Sequence, residues 1–199
     1  MTAKPPPRRE TFRHGNLPEA LVEAALKRLD ADGAEAISLR DLASDVGVNH
    51  RAVYRHFPDK LSLLALVAER GWQQLALRLK KATAGKAPGE PALIAASVAF
   101  FQCARDFPNL FHLMGGARVN EEGEFPTLEA AIIDALQVFA VGFAGTGMAP
   151  GIVIERTAIF VASLQGIVTQ ILHKRLKVAP PKQKAFIADA CRMLMKGVS

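Results

Sequence analysis

The stretch SLRDLASDVGVNHRAVYRHFPDK, residues 38–60, decides how this chain is interpreted, because it predicts two short helices joined by a tight turn. Ser38 followed three residues later by Asp41 is a weak capping-box pattern at the start of the first helix. Gly47 can adopt the left-handed conformation that ends a helix and reverses the chain. Asn49 is a good N-cap for the helix that follows.

The second helix of this stretch is rich in hydrogen-bond donors and contains no acid. Ala52, Val53 and Phe57 can face inward, and Pro58 ends the helix. The donor side chains are those of His50, Arg51, Tyr54, Arg55 and His56. A short helix, a glycine turn and a donor-rich second helix describe a helix-turn-helix, whose second helix lies in the major groove of DNA. The alternative is an ordinary αα-corner with a solvated basic face; the spacing, the glycine and the lack of acids favour DNA.

The bulk composition is compatible with a DNA partner but does not require one. The chain has 199 residues, of which 50% are hydrophobic, a formal net charge of +6 and a pI near 9.6. Residues 1–60 are nearly neutral, yet residues 49–60 carry three cations against one acid, so a basic face can lie on a neutral domain. The larger cationic excess between residues 174 and 196 is interpreted as a solvated surface and not as a second nucleic-acid site.

Cysteine content and hydropathy predict a soluble, cytoplasmic protein without a membrane partner. Cys103 and Cys191 both lie in apolar helical sequence, which is typical of buried free thiols in a reducing compartment; a disulfide or a sensor thiol is the alternative. No secretory signal pattern is present near the N-terminus. No uninterrupted apolar run reaches membrane-spanning length.

Hydrophobic periodicity predicts helices throughout and no strands, so the expected fold class is all-α. We expect a basic, proline-rich arm over residues 1–16, a helix-turn-helix domain over 17–60 and a helical domain over 61–199. The arm is either a disordered tail or a segment whose arginines reach DNA. The predicted helices are 17–32, two short helices in 38–57, 59–81, 92–106, 108–113, 126–143, 152–176 and 182–196.

The segment RHGNLPEALVEAALKRLDADGAEAISLRDLASDVGVNHRAVYRHFPDKLSLL, residues 13–64, resembles the DNA-binding domain of the TetR family of transcriptional regulators. The matching features are an opening helix that ends in glycine, then Ser-Leu-Arg-x-Leu-Ala, Val-Gly-Val and a closing Tyr-x-His-Phe-x-x-Lys. The resemblance implies three N-terminal helices for DNA binding and about six C-terminal helices for ligand binding and dimerisation. It further implies a ligand-responsive repressor that binds a palindromic operator as a homodimer; activation in place of repression stays open.

The resemblance also assigns roles to individual positions of this chain. Base-edge contacts fall on Arg40, His50, Arg51 and Ala52. Phosphate contacts fall on Ser38, Tyr54, Arg55, His56 and Lys60, with Arg55 alternatively facing solvent. An arginine can pair bidentately with guanine, whereas hydroxyl, imidazole and ammonium donors suit phosphate oxygens.

For the C-terminal domain the resemblance implies an effector, and the phenylalanine content suggests an apolar or aromatic one. The candidate pocket residues are Phe101, Phe111, Met114, Phe139, Phe143, Phe160 and Gln165, with plain core packing as the alternative for each aromatic residue. The two last helices are expected to form a four-helix bundle with their copies in a second subunit, and Ala162 and Gly166 would allow close helix approach.

Two other classes of protein are weighed against a regulator. The histidines have no metal-ligand spacing, no phosphate-binding glycine loop precedes a helix, and no nucleophile–histidine set can be assigned, so we expect no enzyme, no metal and no cofactor. A DNA-packaging protein without sequence preference would need many phosphate contacts, which the modest basicity of the N-terminal region does not favour.

Overall fold

The computed structural model describes residues 16–116, Val119 and residues 123–197, and this part of the chain is helical without a strand. The all-α prediction is therefore confirmed. The predicted arm lies outside the described residues except for Asn16. The helices are α1 (Leu17–Asp32), α2 (Leu39–Val46), α3 (His50–Tyr54), α4 (Lys60–Thr83), α5 (Glu90–Asp106), α6 (Pro108–Met114), α7 (Pro126–Ala144), α8 (Pro150–Leu172) and α9 (Gln183–Gly197), with a 3₁₀ turn at Pro180–Lys182.

The chain divides into two compact units, the first ending at Leu64 and the second beginning at Ala65. In the first unit α2 packs against both α1 and α3. Its core consists of apolar side chains that recur at helical spacing, among them Leu21, Leu29, Leu42, Val53 and Phe57. The exposed face of α3 is therefore held at a fixed angle by residues from the other helices of this unit.

The turn between α2 and α3 has the predicted geometry. Gly47 is left-handed, with φ 75° and ψ 30°, and its N–H donates to Ser44 O. The side chain of Asn49 caps α3 by accepting a 2.9 Å hydrogen bond from the N–H of Arg51. The capping-box expectation for Ser38 is wrong, because its side chain makes no capping bond. An extended backbone at Ser38 starts α2 without that bond.

We expect Gly47→Ala to destabilise the protein by about 1–2 kcal/mol, because the left-handed region costs an L-residue roughly that much. A Cβ at this position would meet nothing within 4 Å, so the cost would be purely conformational. Gly151→Ala is the matched control, since Gly151 lies in α8 with equally open surroundings and no positive φ. Urea denaturation would measure both; equal stability of the two variants would contradict the prediction.

The second unit is organised around phenylalanine rings that touch in a chain. The centroids of Phe100 and Phe111 are 5.3 Å apart, and those of Phe100 and Phe139 are 6.3 Å apart. Phe160 continues the chain at 5.9 Å from Phe139 and 5.3 Å from Phe143. These contacts link α5, α6, α7 and α8, and most are edge-to-face pairs, the arrangement that aromatic quadrupoles favour.

The observed helices begin and end within two residues of the predicted bounds, with two exceptions. Helix α3 ends at Tyr54, three residues before the predicted bound at 57, so Arg55 and His56 lie in the turn after it. The helix predicted over residues 152–176 ends at Leu172, because Lys174 turns the chain with a φ of 58°. The N–H groups of Arg175 and Leu176 then both donate to Gln170 O at 2.9 Å. Periodicity missed this end because Leu176, four residues after Leu172, continues the helical spacing of apolar residues.

The two cysteines are buried, as the sequence predicts. Cys103 and Cys191 are both free, and burial raises the pKa of both thiols.

Helices α7 and α8 are long and apolar enough to cross a bilayer by length and composition alone. In the structure, 33% of the apolar window of each helix is buried. Each helix carries two charged residues within its span, Glu129 and Asp134 in α7 and Glu155 and Arg156 in α8.

Candidate DNA-binding surface

Helix α3 presents its polar side chains outward and its apolar ones inward. Val53 is fully buried and Phe57, just beyond the helix, is 5% exposed. Their burial fixes the orientation of the helix. The exposed side chains are those of His50, Arg51 and Tyr54 on α3 and of Arg55 and His56 in the turn that follows it. None of these five is hydrogen-bonded or ion-paired to another residue in the described part of the chain, so their donors are available to an external acceptor.

Helix α2 contributes two more predicted contacts. Arg40 is exposed in its first turn and is likewise without a side-chain partner among the described residues. Ser38 immediately precedes the helix, and its hydroxyl makes no capping bond to α2. Ala52 of α3 is half-buried. It can offer only its methyl group to a base, a contact that suits a thymine methyl.

Lys60 is positioned differently from what sequence reasoning suggests. It is the first residue of α4, it is half-buried, and its Nζ donates a 3.1 Å hydrogen bond to Glu35 O in the loop between α1 and α2. An ammonium has three donors, so two remain for phosphate oxygens. Sequence analysis missed this bond because 25 positions separate the partners and no local pattern connects them.

The N-terminus of α4 is capped by Asp59, whose Oδ1 accepts a 2.8 Å hydrogen bond from the N–H of Ser62. Ser62 Oγ in turn donates to the Asp59 carbonyl at 2.8 Å. A D-x-x-S spacing is a recognisable N-cap signal, and it could have been found in the sequence. The cap gives the residue before Lys60 a structural role that is independent of DNA.

An ion pair joins α1 to α2 on the same unit. Arg28 Nη2 lies 2.9 Å from Asp45 Oδ1, and both side chains are about one-third exposed. Hydrogen bonding from Arg28 lowers the pKa of Asp45 and raises that of the guanidinium, so both groups keep their charge. The acid closest to the turn is therefore compensated by a partner on α1.

The arrangement can bind nucleic acid. Unpaired guanidinium, imidazole and phenol donors on α3 and the turn after it suit base edges and phosphate oxygens. Among the described residues no group of three or more His, Cys, Asp and Glu side chains could hold a metal ion.

The second unit contains a cavity of about 520 Å³ between α6 and α8. Two of the predicted pocket residues, Phe111 and Gln165, line it. Gly115 also lines the cavity. It lies close to Gln165, since a Cβ added at Gly115 would come within 2.6 Å of Gln165 Nε2. Its remaining polar wall includes His112, His173, Asn109 and Thr169. The cavity is thus more polar than the aromatic pocket that the sequence suggests.

The other predicted pocket residues lie elsewhere. Phe139, Phe143 and Phe160 are at most 1% exposed and belong to the chain of rings in the core. Met114 is 3% exposed and packs against Gly71, where an added Cβ would lie 2.6 Å from the Met114 sulfur. Phe101 is also buried and forms part of a separate groove near the end of α8. Their participation in ligand binding stays a prediction.

Comparison with known families and sequences agrees with this surface. Residues 21–67 match the family model described as bacterial regulatory proteins of the tetR family. The HTH-type transcriptional repressor DrrR1 of Streptomyces coeruleorubidus is 38% identical over 52 residues, which are 26% of this chain and 19% of that protein. The matched region covers less than a fifth of that relative's length.

Solved structures extend the likeness to nearly the whole chain. A Rhodococcus sp. RHA1 protein of unknown function has a TM-score of 0.77 at 25% identity, covering 95% of this chain and 98% of its own. A tetR-family regulator from Streptomyces coelicolor has a TM-score of 0.71 at 18% identity, covering 94% and 83%. A TetR variant from Acinetobacter baumannii AYE in complex with minocycline has a TM-score of 0.65 at 18% identity, covering 94% and 96%. The last two show a shared fold.

Proposed function

We propose that the chain, whose residues 21–67 match the tetR family model, is a cytoplasmic, sequence-specific DNA-binding repressor of that family that acts as a homodimer and responds to a small molecule. The observation that carries the DNA-binding part is the exposed, unpartnered donor set on α3 and the turn that follows it. Burying such donors against DNA exchanges water for charged acceptors without breaking any internal bond.

In this proposal one set of side chains on α2 and α3 reads bases, and a second set holds phosphates. Arg51 and Arg40 are suited to guanine edges, with His50 and Ala52 beside them. Ser38, Tyr54, Arg55, His56 and Lys60 then hold the backbone. Lys60 is pre-positioned by its bond to Glu35 O, which reduces the side-chain entropy cost of binding a phosphate.

The homodimer is supported by an exposed apolar stripe on α8. Ile152, Ile159, Ala162 and Gly166 recur at spacings of three, four and seven residues and are all exposed, with Ile152 at 45% and Ile159 at 56%. A Cβ at Gly166 would meet nothing within 4 Å, so a second helix can approach closely there. A stripe of this kind is hydrophobic surface that isolated chains rarely leave uncovered. A symmetric dimer would also match a palindromic operator.

The effector is supported by the α6–α8 cavity, which combines the ring of Phe111 with hydrogen-bonding side chains such as those of Gln165 and Thr169. Trp72 Nε1 and Arg156 Nη1 are also buried without a hydrogen bond among the described residues, but neither residue lines this cavity. The cavity's own polar side chains would bind a ligand that supplies acceptors. We therefore propose an effector that combines an aromatic or apolar body with hydrogen-bond acceptors.

The DNA-binding proposal is tested by selecting duplexes from a random pool with the purified full chain. We expect an inverted repeat whose half-sites are about 34 Å apart, or a multiple of this, as two-fold-related helices require. Footprinting on the selected duplex should protect both half-sites. Equal affinity for selected and random duplexes at physiological salt would contradict the proposal and favour a packaging protein.

A further inference from the structure

A groove of about 470 Å³ lies where the end of α5, the end of α8 and the segment leading into α9 meet. Its walls are largely apolar and are formed by Phe101, Ile171, Leu176 and Val178, among others. Leu176 is 36% exposed, so part of this apolar surface is open to solvent. The groove shares only Leu172 with the α6–α8 cavity and is a distinct site.

The rim of the groove is cationic. Lys174, Lys177 and Arg105 all belong to its lining. Arg105 is partly neutralised by Asp106, with Nη2 2.9 Å from Oδ1. Lys174 and Lys177 are exposed and form no ion pair or side-chain hydrogen bond within the described part of the chain. Both belong to a stretch, residues 174–184, that contains five cations and no acid.

The backbone holds one of these cations in a conformation that its residue type disfavours. Lys174 is left-handed at φ 58° and is the only residue other than glycine with a positive φ among those described. Its N–H donates to Ile171 O at 3.0 Å, and the next two N–H groups close on Gln170 O. Glycine would suit this position better, and outliers of this kind concentrate at sites where a side chain has a function.

We propose that the groove binds a small amphiphilic anion, with an apolar chain or ring against Phe101, Ile171 and Leu176 and a carboxylate or phosphate monoester head beside Lys174 and Lys177. The argument is charge complementarity. An apolar groove alone would accept any apolar molecule, but uncompensated ammonium groups at its rim select one that ends in a negative charge. The site is additional to the proposed effector cavity and does not depend on the DNA-binding proposal.

The test is isothermal titration of the full-length protein with decanoate and decyl phosphate, each below its micellar concentration. Decanol, with the same chain and no charge, and inorganic phosphate, with the head group alone, serve as ligand controls. We expect both amphiphilic anions to bind at least about tenfold more tightly than decanol, since the neutral head cannot form charge-assisted bonds. The ratio of the affinities for decanoate and decyl phosphate identifies which head group the site prefers.

Two double variants with the same charge change locate the site. Lys174→Gln with Lys177→Gln should weaken anion binding at least about tenfold, whereas Lys182→Gln with Lys184→Gln, outside the lining, should leave it unchanged. Lys174→Gly is a further variant that cannot fail by strain, because it removes the charge and relieves the left-handed backbone. It should weaken anion binding while keeping or raising the melting temperature.

Several outcomes would overturn the proposal. Equal weakening in both double variants would show general electrostatic attraction, and equal binding of decanol would show an apolar groove without anion selectivity. Binding of inorganic phosphate as tight as that of the amphiphiles, or no binding of either anion at millimolar concentration, would also refute it. Loss of affinity for random DNA in both double variants would assign the cations to nucleic acid. Operator binding by the ligand-free variants tests the DNA proposal separately.

Discussion

Replacing Arg51 with alanine should strongly reduce the preference of the proposed dimer for its operator while leaving the fold intact. A bidentate arginine–guanine pair is worth about 1–3 kcal/mol of discrimination, and two subunits double the effect, giving a decrease in specificity of about 30-fold to 10⁴-fold. Arg51 is exposed and its side chain has no partner among the described residues, so the melting temperature should not change. Affinities for operator and random duplexes at several salt concentrations would measure the effect.

Lys60→Ala is the contrasting variant. Without its ammonium group, binding to all sequences should weaken alike, and the slope of log affinity against log salt concentration should become shallower by about one for each subunit. Because Lys60 Nζ also binds Glu35 O, a small decrease in thermal stability should accompany the change, which Arg51→Ala should not show. The assignment of Arg51 fails if both Arg51→Ala and Lys60→Ala reduce sequence preference equally.

Arg55→Ala decides between the two roles left open for Arg55. Loss of a phosphate contact would weaken binding to all sequences, whereas loss of a solvated side chain would leave the affinity unchanged.

If the proposed dimer forms through α8, Ala162→Arg should convert it into a folded monomer and thereby weaken operator binding. The stripe on α8 would place this arginine opposite its copy across a two-fold axis, where two like charges would be desolvated together. A monomer reaches only one half-site at a time, so affinity should fall by about 10²- to 10⁴-fold as avidity disappears. Light scattering after gel filtration and gel shifts on the selected operator would report both effects.

Leu77→Arg provides the matched control for that variant. Leu77 is 69% exposed on α4 and lies on a different helix from the stripe, so the same kind of charge is added to apolar surface without touching the proposed interface. The control should remain dimeric and bind the operator as the unaltered chain does. A dimer that survives Ala162→Arg would place the subunit interface on another face of the second unit.

The position of the helix-turn-helix was contained in a few local signals of the sequence. Gly47 and Asn49 act through the conformations and hydrogen bonds of their immediate neighbours, and both behave in the structure as a short stretch of sequence predicts. The all-α fold followed in the same way from hydrophobic periodicity, which depends only on residues within about two turns. Signals of this range can be read without knowing the rest of the fold.

Other features depended on which segments come together, and only the tertiary structure decided them. The bond from Lys60 to Glu35 O joins residues that no local pattern connects. The phenylalanines looked equivalent in the sequence, yet Phe111 lines a cavity while Phe139 and Phe160 fill the core, because packing between helices selects which faces are covered. The sequence by itself determined the helices and the turn at Gly47 and Asn49, because these depend on short-range backbone preferences. The grooves, the buried unpaired donors and the exposed stripe of α8 arose from long-range packing, which those preferences do not specify.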